Sequence, residues 1–205
     1  MGVRARGNAH STHYGDTSVL VETYDRHAVE WFSSRDWPVV TPVMKGLSDI
    51  GAHGAVWIVI GVLVAVWLRR PLLAVAVLAA EEISSVVDGV LKNAIGRERP
   101  PLADPRVHAL IPLPHDPSRP SGHAMMAFAG AALLTLVAPR FGWAFVALAA
   151  AIAVSRLYLG VHFPSDVVVG AAIGAIIGAL AYCALHLLEP RGRAAVARLY
   201  GRVVE

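Results

Sequence analysis

The sequence predicts an all-α fold, a polytopic transmembrane helical bundle with five to six membrane helices. Three observations carry this expectation. Hydrophobic residues make up 56% of the 205 positions and charged residues only 16%, whereas soluble domains carry about a quarter charged residues. The mean hydropathy is +0.55. Apolar runs close to the length a helix needs to cross a bilayer, about 20 residues, recur along the chain between polar links.

Residues 1–18 are polar and are expected to hold no cleavable signal peptide. Val19 to Trp37 mixes Tyr24, Val29, Trp31, Phe32 and Trp37 with charges. It is too polar to span and reads either as an amphipathic interfacial helix with an aromatic anchor or as a helix that caps the bundle. The first apolar segment, Gly51 to Leu68, is short and is closed by Arg69 and Arg70. The second runs from Pro71 to Leu91, the third from Gly122 to Ala138, the fourth from Trp143 to Leu159 and the fifth from Val167 to Leu188. A sixth crossing would have to come from the N-terminal region. The expected organisation is an N-terminal tail with its interfacial helix (1–50), a transmembrane domain (51–189) and a basic C-terminal tail (190–205).

Composition also excludes some classes. The net charge is +3 and the pI about 9.4, but the basic residues sit in links between apolar segments rather than in one stripe with interleaved aromatics, so nucleic acid is not an expected partner. The single cysteine, Cys183, allows no internal disulfide and no cysteine-based zinc site. It is expected to be a small buried hydrophobe.

Two segments carry further patterns. In the fifth, Gly170, Gly174 and Gly178 repeat at a spacing of four, which lets a neighbouring helix approach closely. Packing within the chain is the favoured use, and a homo-oligomer through these glycines the alternative. In the second, Glu81, Ser85, Asp88 and Lys92 follow at steps of four, three and four and so share one helix face. Ionisable groups at membrane depth normally face a polar interior, so this stripe is expected to point inward, with Asp88 and Lys92 paired. Between the second and third segments lies a link of about thirty residues, rich in proline, and links of that length are usually functional or disordered.

Polar residues gather at helix ends in three clusters: Lys92 with Arg99 and Pro100; Pro120, Ser121, Gly122 and His123; and Ser155, Arg156, His162 and Asp166. The second and fourth segments run toward one membrane face and the third and fifth start from it, so all three clusters lie together. Lys92, Arg99 and Arg156, with the free N–H groups of Ser121 and Gly122 at a helix N-terminus, make a cradle for phosphate that needs no metal or other cofactor. Asp166 accepting a proton from one nitrogen of His162 would leave the other nitrogen free to attack phosphorus. His123 can protonate the leaving oxygen and then deprotonate a water. A metal site on His123, His162 and Asp166 is the rival use of these side chains, disfavoured by the surrounding cations.

At these residues the chain resembles the type-2 phosphatidic acid phosphatase superfamily, whose signature is Lys-x6-Arg-Pro, then Pro-Ser-Gly-His, then Ser-Arg-x5-His-x3-Asp. Lys92, Arg99-Pro100, Pro120 to His123, Ser155-Arg156, His162 and Asp166 match in order and spacing. The resemblance implies His162 as nucleophile, Asp166 as its orienting partner, His123 as acid and base, and Lys92, Arg99, Ser121, Gly122 and Arg156 as phosphate ligands. It implies a lipid phosphatase working through a phosphohistidine. An isoprenoid phosphate or pyrophosphate is the first choice of substrate, with phosphatidylglycerophosphate or phosphatidate as alternatives. A vanadate-dependent oxidase and a non-catalytic lipid-phosphate binder are readings of other classes. Arg69, Arg70, Arg140 and the C-terminal arginines lie opposite the clusters, so the positive-inside rule places the site on the outer face of the plasma membrane.

Overall fold

The structure, a computed structural model, describes the backbone of residues 15–203 and the side chains of residues 19–189. His10, His13 and the arginines of the expected C-terminal tail lie outside the described side chains. All described elements of regular structure are helical: α1 (Gly15–Ser33), α2 (Val40–Gly51), α3 (Ala55–Leu68), α4 (Pro71–Ile95), the single turn α5 (Pro100–Ala103), α6 (Gly122–Val137), α7 (Gly142–Tyr158) and α8 (Pro164–Val203). The expected boundary at residue 190 is not a break in secondary structure, because α8 continues through it.

Local sequence sets the starts and stops. Pro71 and Pro164 stand at the first helical positions of α4 and α8, where a missing N–H costs nothing. Gly96 ends α4 in a left-handed conformation (φ 64°), with its N–H 2.9 Å from the carbonyl of Lys92. That stop fixes Lys92 in the last turn of α4.

The first crossing differs from the expectation. Val40–Leu68, 29 residues, is long and apolar enough to cross a membrane. It consists of α2 and α3 broken at His53 (φ 54°) and Gly54 (φ 67°). The expected division at residue 50 falls inside this stretch. Thr41, Lys45, Ser48 and Asp49 depress the hydropathy of α2, yet Thr41 and Ser48 are buried and α2 packs on α7. The Thr41 hydroxyl lies 2.7 Å from the Tyr158 hydroxyl.

Among the described residues, Pro139–Tyr158 and Pro164–Glu189 also have the length and hydropathy to cross, and Gly122–Val137 is apolar but shorter. α4 has 25 residues but carries Glu81, Glu82, Asp88 and Lys92. Of its expected inward stripe, Glu81 and Lys92 are buried, whereas Ser85 is exposed and its neighbour Ser84 takes the inner position. The Ser84 hydroxyl donates to the Ala80 carbonyl at 2.8 Å, which satisfies it inside the helix.

α6 is the central helix and meets α8, α7 and α4. Its core includes Met125, Leu133 and Leu134, packed with Trp57, Leu73 and Ile152. Gly170, Gly174 and Gly178 lie directly on the α6 backbone: a Cβ at each would collide with the carbonyl oxygens of Ser121, Met125 and Ala129 respectively. The close packing predicted for this stripe is thus made within the chain. Cys183 lies half a turn around α8 from Gly174, at about 3.6 residues per turn, and is exposed rather than buried.

Candidate active site

The predicted site residues sit at helix ends that meet at one end of the bundle. Lys92 is in the last turn of α4, Arg99 is the N-cap of α5 and Ser121 the N-cap of α6. Gly122 and His123 open α6, Arg156 is in the last turn of α7, His162 is in the α7–α8 link and Asp166 is in the first turn of α8. The structure ties them together. The Ser121 N–H donates to the Asp166 carbonyl at 3.0 Å. Arg99 Nη1 lies 3.2 Å from His162 Nε2. His123 is within electrostatic reach of His162, Arg156 and Lys92.

The surroundings of His162 assign its tautomer. Nδ1 is 2.8 Å from the Ser118 carbonyl, which can only accept, so Nδ1 carries the proton. Nε2 then has a free lone pair, which faces an Arg99 N–H. Burial pushes the His162 pKa down to about 4; Asp166 opposes that shift, and the charges of Arg99 and Arg156 add to it. The ring is neutral at ordinary pH.

The expected direct bond from His162 to Asp166 is not made. Asp166 Oδ2 is 3.9 Å from Nδ1. Other donors have taken the carboxylate: the Ser118 hydroxyl (2.6 Å) and the Phe163 N–H (3.0 Å) on Oδ2, and Arg97 Nη1 (2.5 Å) and Arg119 Nε (3.0 Å) on Oδ1. Ser118 stands between the two residues, with its hydroxyl 3.5 Å from Nδ1.

The cations of the cradle are engaged by Asp116, on the proline-rich link. Its Oδ2 lies 2.5 Å from Lys92 Nζ and its Oδ1 2.9 Å from Arg99 Nη2, while its carbonyl accepts from Arg99 Nε at 2.8 Å. One carboxylate thus spans two cations, as two oxygens of a phosphoryl group would. Partial burial raises the Asp116 pKa, but the Lys92 hydrogen bond and the charges of Lys92 and Arg99 prevail and hold it at about 2.

Within the site, two buried donors, Ser121 Oγ and Arg156 Nε, have no hydrogen-bond partner among the described residues. Buried polar groups are almost always paired, so two unspent donors beside the cations are suited to an anion's oxygens. Ser121 occupies an N-cap position without making a side-chain cap bond, so its hydroxyl is not spent on the helix. Asp88 pairs with Lys92 at 2.8 Å, as the spacing predicted. It also explains a glycine at 122, where a Cβ would fall 2.7 Å from Asp88 Oδ2.

Sequence reasoning missed Asp25, Ser48, Arg97, Asp116, Ser118, Arg119 and Ser165. Ser48 receives the Arg156 guanidinium. Arg97, Ser118 and Arg119 adjoin the signature, and adjacency was the one signal available for them. Asp25 and Ser48 are far from it in sequence.

Comparison with known proteins identifies the family. The family model described as the PAP2 superfamily matches residues 70–189. The chain is 34% identical over 152 residues to a decaprenylphosphoryl-5-phosphoribose phosphatase of Mycobacterium tuberculosis, covering 71% of this chain and 80% of that protein. It is 32% identical over 139 residues to an undecaprenyl-diphosphatase of Sulfolobus acidocaldarius, covering 67% of each. Its fold resembles the crystal structure of a transmembrane PAP2-type phosphatidylglycerolphosphate phosphatase from Bacillus subtilis, with a TM-score of 0.65 and 24% identity over 79% of this chain and 84% of that one.

Proposed function

Since this chain belongs to the PAP2 superfamily, we propose that it removes phosphate from a polyprenyl phosphate or pyrophosphate through a phosphohistidine formed on His162, without a metal. It is a membrane lipid phosphatase; the substrate and the roles of individual residues are the proposal. The observation that carries it is the buried, neutral His162, protonated on Nδ1 toward the Ser118 carbonyl and free on Nε2 beside Arg99.

In the first step Nε2 forms a bond to phosphorus as the bond from phosphorus to the leaving oxygen breaks, and His123 gives that oxygen a proton. The lipid leaves as an alcohol, or as a monophosphate when the substrate is a pyrophosphate. In the second step a water attacks phosphorus, His123 takes its proton, the N–P bond breaks and inorganic phosphate departs. Lys92, Arg99 and Arg156, with the Ser121 hydroxyl and the N–H groups opening α6, offset the charge on the phosphoryl oxygens. Three fixed cations supply what a metal would otherwise supply. Before chemistry, the phosphate takes the place of Asp116 on Lys92 and Arg99.

The polyprenyl choice draws support from relatives whose names specify decaprenyl and undecaprenyl substrates. The outer face of the plasma membrane remains the proposed location of the site, on the basis of Arg69, Arg70 and Arg140 at the other end of the bundle.

The test is phosphate release by purified protein in detergent with a chelator present. The panel holds undecaprenyl pyrophosphate, undecaprenyl phosphate, phosphatidylglycerophosphate, phosphatidate and a water-soluble ester. Turnover of a polyprenyl substrate above the others is expected. Activity that vanishes with the chelator, or a clear preference for a glycerolipid, would overturn the proposal.

A further inference from the structure

Asp25 lies on α1, outside the residues that match the family model, and is 1% exposed. Buried carboxylates persist only where partners satisfy them, and Asp25 has a full set. Its Oδ1 accepts the Ser165 N–H at 2.9 Å, one of the free donors at the N-terminus of α8. Its Oδ2 accepts from Arg97 Nη2 at 2.8 Å and from the Ser165 hydroxyl, with Arg119 Nη2 at 3.8 Å. The same two guanidiniums hold Asp166 Oδ1 from their other sides, Arg97 through Nη1 and Arg119 through Nε.

Two carboxylates and two guanidiniums therefore alternate in a closed, charge-balanced group. Asp25 forms the side of that group away from His162, and Asp166 the side toward it. None of the bonds made by Asp25 reaches Lys92, Arg99 or Arg156.

We propose that Asp25 is a positioning residue for phosphoryl transfer: it orients Arg97 and Arg119 and balances their charge, so that the negative charge of Asp166 remains available to His162. The inference rests on His162 acting as the nucleophile. When Nε2 takes the phosphoryl group while Nδ1 keeps its proton, the ring becomes cationic. The groups around that ring are Arg99 from the α4–α5 link, His123 from α6, Arg156 from α7 and Asp166 from α8. Asp166 is the only anion among these four. Without Asp25, two guanidiniums would face that one carboxylate, and the positive charge beside the ring would rise by one. A helix outside the matched family region would then govern the reactivity of the nucleophile.

The experiment compares wild type, Asp25→Asn and the double variant Asp25→Asn/Arg119→Gln, purified in detergent. In Asp25→Asn, kcat is expected to fall about 10- to 100-fold, the range for groups that orient metal-bound histidines. KM and inhibition by vanadate should not change, because the cradle is untouched. The double variant removes one charge of each sign and should recover part of the lost kcat, which a purely structural role for Asp25 would not allow. It also carries the test if Asp25→Asn alone does not fold. Wild-type kcat in Asp25→Asn, a double variant no better than the single one, or a parallel change in KM would each overturn the proposal.

A second readout does not depend on turnover. In ¹⁵N NMR titrations of the ligand-free proteins, the His162 imidazole should titrate at lower pH in Asp25→Asn than in wild type and return toward wild type in the double variant. An unchanged titration overturns the role of Asp25 even if no lipid is hydrolysed. Absence of phosphate release by wild type alone bears instead on the proposed reaction.

Discussion

The Nδ1 atom of His162 lies 2.8 Å from the carbonyl oxygen of Ser118, more than an ångström closer than the 3.9 Å that separates it from Asp166. The backbone, not the carboxylate, holds the ring proton. The orientation of the proposed nucleophile is therefore set by the chain path through Ser118, and in that proposal Asp166 acts mainly through its charge. A first prediction is that His162→Ala loses phosphate release by about 10⁴-fold or more, as removal of a nucleophile does elsewhere. A quenched reaction with ³²P-labelled lipid should yield an acid-labile, base-stable phosphoprotein in wild type and none in His162→Ala.

Ser118 donates its hydroxyl to Asp166 and its carbonyl accepts from His162. Ser118→Ala keeps the carbonyl and removes only the hydroxyl, so its kcat should fall about tenfold. Asp166→Asn should cost more, toward about 100-fold. Equal losses in the two variants would mean that the hydroxyl, not the charge, carries the influence of Asp166. Steady-state kinetics on the same lipid decides it.

Asp116 occupies Lys92 and Arg99 with both carboxylate oxygens. An incoming phosphate competes with it. Asp116→Asn should tighten inhibition by vanadate and lower KM by about tenfold, equivalent to about 1.4 kcal/mol. Weaker vanadate inhibition in this variant would show that Asp116 organises the cradle rather than competing for it.

The His162 imidazole titrates at about 4 in the folded protein and near about 6.5 in an unfolded chain. Between those values the unfolded chain binds a proton that the folded chain does not. Stability therefore falls as pH drops from about 6.5 to about 4, and this residue adds no further change below that. Asp116 has the opposite kind of group and a separate window: its contribution is present above an unfolded pKa of about 3.9 and is lost as pH falls through about 2. Thermal unfolding of wild type and His162→Gln from pH 7 to pH 4 should show the first component in wild type only.

Gly174→Val would place side-chain atoms into the Met125 carbonyl. Overpacking of this kind costs about 1–3 kcal/mol, occasionally more, and here the obstacle is backbone. The variant should unfold at lower denaturant concentration and lose activity, since α6 and α8 carry His123 and Asp166 at the same end. Cys183→Ser, on the exposed side of α8, should do neither.

Spacing alone was enough to place Lys92, Arg99, His123, Arg156, His162 and Asp166, because each belongs to a short motif at a helix end. Other features depend on contacts that no local pattern records. Asp25 reaches Arg97 across 72 residues and Ser165 across 140. α2 falls outside the apolar segments because Thr41 and Ser48 lower its hydropathy, whereas both turn inward onto α7. Ser85 was placed inward by periodicity, but helical steps of three and four leave Ser84 and Ser85 both close to the stripe, and packing chose Ser84.

The glycine seam between α6 and α8 has a consequence for how such a protein can diversify. Where two backbones touch, no rotamer can relay a change from one helix to the other, and spacing is held by main-chain atoms alone. Val168, Ile176, Leu180 and Leu187 are all exposed on α8. Substitutions at those positions alter what the membrane and a lipid tail encounter without shifting the rail on which the reacting groups are mounted. Tail preference can drift while the chemistry stays in register, and selection can act on the two as separate traits.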